Sequence, residues 1–454
     1  MKNYLVFSSE IRYDDEENCR QLIKEETTLD IFSLKTIVAV LFVLTYASLL
    51  FFPKIRAYIA LGAAVLMVAL GALPIGEVMT IINWNVIFMI AGTMGTVYLF
   101  IESKMPALMA DLIIEKVPDV KWTIISLALF AGIISAFVDN VATVLMVAPV
   151  ALDISKKLKI SPVLGIIAIA ISSNLQGAAT LVGDTTSILL GGYADMDFLD
   201  FFFFKGKIGL FWVVQAGALV ATLVLLWVFR KDNQPVKVDE RAKVTNFFPS
   251  WLLLGTVVLL ILASFIPNKP EITNGIICMG LFGIGLVHAY VKEKNVEVIK
   301  QSFKEIDYVT LMLLTGLFVV VGSMTAVGIV DDIGKMFVSV SDNPFVIYTL
   351  LVWVSVLLSA FIDNIPYIAT MLPVTGAIAA AMNMEPYLFY FGLLVGATLG
   401  GNLTPIGASA NIAGLGILQK NGYSVSTSTF MKMSVPFTLA AVTTGYLLVW
   451  FIWG

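Results

Sequence analysis

The sequence predicts an all-α polytopic membrane protein made of two inverted repeats, each with five transmembrane helices and one re-entrant helical hairpin. Of its 454 residues, 59% are hydrophobic and only 13% are charged, and the mean hydropathy is +0.92. Soluble domains carry about 25% charged residues, so this chain lacks the charges that a water-exposed surface needs. Many long apolar runs and one motif that occurs twice complete the prediction.

The first residues, 1–31, are polar and rich in acidic side chains. No basic region followed by a short apolar core occurs there, so we expect a polar tail rather than a signal peptide. Cys19 in this tail and Cys278 in an apolar run show no pair spacing, which supports neither a disulfide framework nor a metal site. The net charge of −4 is mild, and we expect no nucleic-acid partner.

The first repeat is predicted to occupy 32–229. A helix needs about 20 apolar residues to cross a bilayer, and runs of this kind lie at 32–52, 57–73, 85–103, 162–190 and 207–229. A further apolar segment, 121–155, is interrupted at its centre by Asp139 and Asn140, so we expect a hairpin there. The charged segment 230–246 then forms a cytoplasmic linker.

The second repeat is predicted to occupy 247–454. Its apolar runs lie at 248–265, 272–290, 308–326, 386–416 and 432–453. Its interrupted segment is 344–378, with Asp363 and Asn364 at the centre. Trp84, just before the run 85–103, and Tyr308, at the start of 308–326, are expected to be membrane-interface anchors.

The two halves match at a constant offset of 224 residues. SAFVDNVATVLMVAPV (135–150) aligns with SAFIDNIPYIATMLPV (359–374), and NLQGAATLVGDTTS (174–187) aligns with TLGGNLTPIGASAN (398–411). Five crossings per half is an odd number, so the second copy must be inverted in the membrane. Inverted repeats are typical of secondary transporters, whose sites lie at the bilayer midplane between the copies.

The basic residues predict the orientation. Under this topology, most of the 28 Lys and Arg residues, Lys54, Arg56 and the linker among them, fall on one face. The positive-inside rule makes this face cytoplasmic in a multi-pass plasma (inner) membrane protein. The first hairpin then opens inward, the second opens outward, and both termini are extracytoplasmic. Expected partners are the bilayer and a small ion, and a homodimer is compatible with the pattern.

Both Asp-Asn stretches are natural break points in a helix. Asp and Asn tolerate turn conformations and bond to nearby backbone, and irregular backbone at membrane depth is tolerated inside protein or beside a polar cavity. Their oxygens can ligate a cation, while the half-helix that follows can attract an anion. The alternative is that Asp139 and Asp363 only cap those half-helices. Since an acid in a membrane costs about 2.5–3.5 kcal/mol and this pair recurs, we favour ion binding.

The second pair of aligned stretches contains the matching helix breaks. Glycines and Pro405 cannot continue a regular helix, and they leave carbonyl groups free beside Thr404. Asp184 replaces the second copy's Ala408, and for this acid a capping role is equally plausible. The predicted ion and substrate residues are Asp139, Asn140, Asn174, Gly177, Thr180, Gly183, Asp184, Asp363, Asn364, Gly401, Asn402, Thr404, Pro405, Gly407 and Asn411. A candidate Na⁺ site comprises Asp139, Asn140, Asp363, Asn364 and Thr404.

These motifs resemble the ion transporter superfamily over residues 36–453. The most similar branch holds the arsenite permeases and the melanosomal P protein (CitMHS and ArsB/NhaD-type permeases), and the divalent anion/sodium symporters are more distantly similar. The resemblance implies a scaffold, and a transport region of two opposed hairpins and two broken helices that moves as an elevator. It also implies one cation site at Asp139, Asn140 and 177–184, and another that uses Asp363, Asn364, Thr404, Pro405 and Asn411.

The leading hypothesis is secondary active transport of a small inorganic or organic ion, coupled to H⁺ or Na⁺ and requiring no cofactor. Arsenite-type efflux, anion permeation and Na⁺/H⁺ antiport all remain open. The aspartates argue against a free dicarboxylate substrate, because they would repel a dianion. A channel and an intramembrane aspartyl protease, in which Asp139 and Asp363 would share a proton, are the alternatives from other classes. We expect no enzyme activity, and the chain has no phosphate-binding loop for ATP.

Overall fold

The computed structural model describes residues 34–236, 241–244, 246–292, 294 and 296–454. Helices make up most of this chain, which confirms the predicted all-α class. The predicted tail, 1–31 with Cys19, and part of the predicted linker lie outside the described residues.

The first half begins with five successive helices and continues into a helical hairpin and a broken helix. The helices are α1 (Leu34–Phe51), α2 (Arg56–Ala69), the single turn α3 (Val78–Ile81), α4 (Trp84–Glu102), α5 (Met105–Ile114), α6 (Val120–Ser135), α7 (Asn140–Lys157), α8 (Val163–Gly177), α9 (Thr185–Tyr193) and α10 (Leu210–Val228).

A small hairpin between α9 and α10 departs from the predicted all-helical pattern. Strands β1 (Phe203–Phe204) and β2 (Lys207–Ile208) pair in antiparallel register. Lys205 and Gly206 connect them with φ of 49° and 76°. Two successive positive φ angles match the right-handed twist of a two-residue hairpin, and glycine at the second position removes half of the steric cost.

The second half repeats this order. Its helices are α11 (Phe248–Ala263), α12 (Thr273–Val291), α13 (Val296–Lys304), α14 (Tyr308–Ala326), α15 (Ile329–Val340), α16 (Pro344–Ser359), α17 (Asn364–Ala381), α18 (Tyr387–Leu394), α19 (Ser409–Lys420) and α20 (Thr427–Trp453). A π-helical turn, Val395–Leu399, extends α18.

The helix boundaries repeat with the offset of the sequence. The bounds of α4, α6 and α7 become those of α14, α16 and α17 when 224 is added to each residue number. Even the caps correspond, because Asn83 accepts a bond from the Val86 amide and Asp307 accepts one from the Thr310 amide. The duplication in sequence is therefore a duplication of structure.

The copies pack on each other reciprocally. Helix α2 lies against α14, and α4 lies against α12. A Cβ on Gly92 of α4 would lie 2.4 Å from the carbonyl carbon of Cys278, and one on Gly316 of α14 would lie 2.6 Å from that of Ala60. Glycine at both positions lets these helices approach closely. We call α2, α4, α12 and α14 the framework, and α6–α9 with α16–α19 the hairpin core.

Among the described helices, seven are long and apolar enough to cross a membrane, or eight if α15 and α16, which meet at 117°, count as one span. The sequence predicted ten spans. Helices occur in all ten predicted segments, but α2 and α11 have only 14 and 16 residues and the 163–193 and 387–420 segments are broken. The opposite membrane orientation of the two copies stays a prediction.

Candidate functional site

The tip of the first hairpin is a capped helix start. Asp139 has φ −43° and ψ 136°, outside the helical region, and its Oδ1 accepts the amide protons of Val141 at 3.0 Å and Ala142 at 3.1 Å. These bonds satisfy two of the free amides at the start of α7. Asp139 therefore caps α7 through Oδ1, and its Oδ2 can bind another partner.

The second tip has the same backbone geometry with a different partner. Asp363 has φ −51° and ψ 131°, and its Oδ1 accepts the Ile365 amide proton at 3.2 Å. Its Oδ2 lies 2.6 Å from Arg56 Nη1 in a salt bridge, and Ser409 Oγ lies 3.4 Å away. Sequence reasoning placed Arg56 only among the basic residues of one face, and missed this contact.

Each predicted helix break is present and is pressed against a hairpin tip. The hydroxyl groups of Thr180 and Thr404 donate to the carbonyl oxygens of Ala136 and Ala360, where α6 and α16 end. A Cβ on Gly183 would lie 2.6 Å from the Gly177 oxygen, and one on Gly407 would lie 2.6 Å from the Gly401 oxygen. The four glycines singled out in the sequence thus let the backbone of each break pack closely. The two threonines hydrogen-bond each break to its hairpin.

A chain of polar side chains connects the two copies at the centre of the hairpin core. Asn140 donates to Asn174 Oδ1 at 3.0 Å, and Asn174 donates to the Thr398 carbonyl oxygen at 2.8 Å. Thr398 Oγ1 then lies 3.0 Å from Thr186 Oγ1, which donates to Asp184 Oδ2 at 2.9 Å. Asn174 and Thr398 correspond under the 224-residue offset, so equivalent points of the two copies meet here.

Several amide groups in the second copy are buried with unused bonding capacity. Asn402 donates to the Ile171 carbonyl oxygen, and Asn411 donates to those of Gly401 and Thr404. Within the described part of the protein, Asn402 Oδ1, Asn411 Oδ1 and Asn364 Nδ2 have no hydrogen-bond partner. Buried polar atoms are nearly always satisfied, and the two oxygens are suitable ligands for a hard cation. Pro405, which follows Thr404 in the same break, has no hydrogen-bonding group in its side chain.

A cavity of about 180 Å³ opens between the hairpin core and the framework. The predicted residues Asp139, Asn140, Asp184 and Asn364 line it together. The other predicted site residues are not among its described lining residues: Asn174, Gly177, Thr180, Gly183, Asp363, Gly401, Asn402, Thr404, Pro405, Gly407 and Asn411.

The framework adds two acids to this cavity. Glu305 and Asp307, just before α14, line it opposite the hairpin tips, and none of its described lining residues is Lys, Arg or His. Sequence reasoning missed both acids. The repeat offset could have indicated Asp307, because its counterpart, Asn83, precedes Trp84 as Asp307 precedes Tyr308.

The acids do not form a compact metal centre. Among the described residues, no three His, Cys, Asp or Glu side chains are close enough together to hold a metal ion. The cavity does offer single carboxylates beside the side-chain amides of Asn140 and Asn364, and such oxygens are ligands of hard cations. A proton bound to a cavity aspartate would neutralise its charge as a bound cation does.

Comparison with known proteins gives a family model and full-length relatives. The model of the citrate transporter family CitMHS matches residues 39–391. A 46 kDa membrane protein of Mycobacterium leprae is 28% identical over 92% of this chain and 98% of its own length. An uncharacterized transporter of Mycobacterium tuberculosis is 30% identical over 81% of this chain and 86% of its own. The human P protein is 27% identical over 72% of this chain and 48% of its own.

Two solved transporters have a similar fold. The YdaH transporter of Alcanivorax borkumensis superimposes with a TM-score of 0.56 over 83% of this chain and 86% of its own, at 15% identity. MtrF of Neisseria gonorrhoeae, described as illuminating a class of antimetabolite efflux pumps, gives a TM-score of 0.53 over 82% and 83%, at 17% identity. At these identities the similarity is one of fold.

Proposed function

Because the chain belongs to the CitMHS family of citrate transporters, and is a secondary transporter of that family, we propose that its transport is coupled to a cation, H⁺ or Na⁺, bound at Asp139 and Asp184. Its membership also bears out the resemblance to the ion transporter superfamily that the motifs indicated. The family is one of transporters rather than enzymes.

The observation that carries this proposal is the charge of the cavity. Four carboxyl groups line it, those of Asp139, Asp184, Glu305 and Asp307, and no basic side chain occurs among its described lining residues. A desolvated carboxylate needs a cation or a proton. A free anion would be repelled, so the substrate is expected to enter as a neutral, protonated or cation-bound species, or to be a cation itself.

The packing supports alternating access by movement of the hairpin core as an elevator. The framework helices pair with each other through close glycine contacts, while α8 packs among α6, α7 and α19. The cavity lies on the boundary between these two groups. Sliding at that boundary would carry Asp139 and Asp184 across the bilayer without breaking either group.

A reconstituted-vesicle assay tests the proposal. Uptake of citrate, arsenite and sulfate is measured under imposed pH or Na⁺ gradients, for the native protein and for Asp139→Asn and Asp184→Asn. We expect both variants to lower gradient-driven uptake at least tenfold, because each removes a carboxylate that holds the coupling cation. The matched control is Asp153→Asn. Asp153 lies on the helix that Asp139 caps, and its carboxylate is exposed. Uptake by this control should stay within twofold of native. Full gradient-driven uptake in both cavity variants would refute the assignment.

A Na⁺/H⁺ antiporter is the second candidate. The observation in its favour is that Asp139 and Asp184 line one cavity, where Na⁺ and H⁺ would compete for the same carboxylates. With citrate, arsenite and sulfate absent, an inward Na⁺ gradient should then alkalinise the interior of vesicles that contain the native protein, because Na⁺ entry drives H⁺ exit. Absence of a Na⁺-driven pH change, with intact anion uptake, would exclude antiport as its main activity.

A further inference from the structure

The two hairpin tips carry the same acid in different electrostatic surroundings. Asp139 lines the cavity, and no basic partner for it occurs among the described residues. Asp363 is paired with Arg56, and the two side chains are only 16% and 21% exposed. The position that a cation would take beside the second aspartate is thus filled by a guanidinium group of the protein itself.

The repeat shows that this difference is built into the framework. Gly92 and Gly316 correspond, and their close contacts make Cys278 and Ala60 equivalent residues of α12 and α2. Four residues before them stand Asn274 and Arg56. Asn274 cannot carry a charge, and its amide lies 3.4 Å from Asp197. Among the described residues, the framework therefore supplies a basic partner to Asp363 and none to Asp139.

The contact joins the two parts of the molecule that are expected to move relative to each other. Arg56 begins α2 of the framework, and Asp363 caps α17 of the hairpin core. Tyr46 of α1 reinforces the contact by donating to the Pro366 carbonyl oxygen at 2.9 Å. When the second hairpin slides away from α1 and α2, Asp363 must lose Arg56, and its carboxylate then needs another cation or a proton.

We propose that Arg56 determines how many cations are coupled to transport: it occupies Asp363 in this conformation, and a cation or proton from solution replaces it only after the second hairpin has left α2. This inference rests on the proposed function, and it adds a residue that acts through Asp363. A guanidinium suits the role because it stays charged at any physiological pH and binds carboxylates with defined geometry. The exchange keeps the second tip neutral at both ends of the movement.

Counting bound cations in the purified protein tests this without a known substrate. Equilibrium binding of ²²Na⁺ and uptake of H⁺ are measured on monodisperse detergent-solubilised protein. Arg56→Gln should bind one more cation, Na⁺ or H⁺, per chain than the native protein, and Arg56→Gln/Asp363→Asn should return to the native count. Arg56→Lys and the control Lys54→Gln, an exposed lysine two residues away, should leave the count unchanged.

A charge exchange separates this role from a purely structural ion pair. Arg56→Asp/Asp363→Arg restores the attraction but removes the α17 cap, so a structural role predicts that melting temperature and uptake both rise above those of Arg56→Asp alone. Our proposal predicts the same rise in melting temperature with uptake still at least tenfold below native, because no acid remains at the second tip. An unchanged cation count in Arg56→Gln, or native uptake in the exchanged protein, would overturn it. Failure of the proposed function is a separate result, namely full uptake by Asp139→Asn and Asp184→Asn.

Discussion

At the scale of single residues, the site depends on small side chains as much as on charged ones. Gly183 and Gly407 are held within a few ångströms of three carbonyl oxygens each, from the paired glycine and from the end of the neighbouring hairpin arm. Thr180 and Thr404 bond to one of those same hairpin ends. The hairpin tips and the helix breaks are therefore one packed unit. The position of each aspartate depends on a glycine, Gly183 or Gly407, because a Cβ there would push the hairpin end away.

This close packing predicts opposite effects for two Gly→Ala changes. Gly183→Ala would place a Cβ 2.6 Å from the Gly177 oxygen, and overpacking of this kind costs about 1–3 kcal/mol. The melting temperature of the solubilised protein should fall by several degrees, and vesicle uptake should fall with it. Gly416 lies in the interior of α19, where an added Cβ would meet no other part of the protein within 4 Å. Gly416→Ala removes a helix-unfavourable residue and should leave the melting temperature equal or higher. A smaller fall in melting temperature for Gly183→Ala than for Gly416→Ala would contradict this account.

At the scale of elements, the linker is docked on the base of the first hairpin. The Val120 and Lys121 amides, at the start of α6, donate to the carbonyl oxygens of Gln234 and Asp232. Further along, Arg241 binds Glu115 through Nε at 2.5 Å and Nη2 at 2.7 Å, and the Ala242 amide donates to Asp111. The charged segment predicted as a separator of the repeats is also an attachment.

The Arg241–Glu115 pair predicts a pH-dependent attachment. The hydrogen bonds from Arg241 hold the pKa of the Glu115 carboxyl below its ordinary value. The ion pair therefore stabilises the docked linker fully while the pH stays above the ordinary pKa of a glutamate carboxyl. This stabilisation is lost as the pH falls through the lowered pKa of Glu115. At acidic pH, hydrogen–deuterium exchange at 241–244 in the native protein should rise relative to the intrinsic amide exchange rate at that pH. Arg241→Ala should show the faster exchange already at neutral pH, whereas Lys243→Ala, an exposed neighbour, should not. Equal exchange in both variants would show that the pair does not hold the linker.

At the scale of the whole molecule, the cavity has a counterpart produced by the repeat. A second cavity of about 420 Å³ is lined by Phe318, Val321, Gly322 and Thr325, which correspond to Met94, Val97, Tyr98 and Ile101 of the first. Where the first has Glu305 and Asp307, the second has Ile81 and Asn83. The two cavities therefore share the corresponding faces of α4 and α14 but differ in charge, since Glu77 is the one acid among the described lining residues of the second.

This correspondence predicts accessibility from opposite sides of the membrane. Ile101→Cys and Thr325→Cys, each with Cys19→Ser, are labelled with a membrane-impermeant maleimide in right-side-out and inside-out vesicles. The native Cys278 is buried and should stay unlabelled. We expect the two cysteines to react from opposite faces, and Leu219→Cys, on the exposed apolar surface of α10, to react from neither. Reaction of both cavity cysteines from the same face would exclude the inverted arrangement of the copies.

Much of this architecture was determined by the sequence alone. The offset of 224 residues predicted which helices correspond, and the Asp-Asn and Gly-rich stretches predicted where both hairpins and both broken helices are interrupted, because those residue types oppose a continuous helix whatever surrounds them. The resemblance of these motifs to a known superfamily also indicated the family to which the chain belongs. Span lengths were less accurate, since apolar runs extend past the caps that end each helix.

The tertiary structure alone decided which of the predicted residues share a surface. Asp139 and Asp184 face the cavity while Thr404 and Asn411 hold backbone behind it, and nothing in their spacing separates these roles. It also brought Arg56 to Asp363 across 307 positions of the chain. A local motif specifies backbone geometry at its own position, but the partner of a charge is set by how distant helices pack, and the duplicated acids became inequivalent only through that packing.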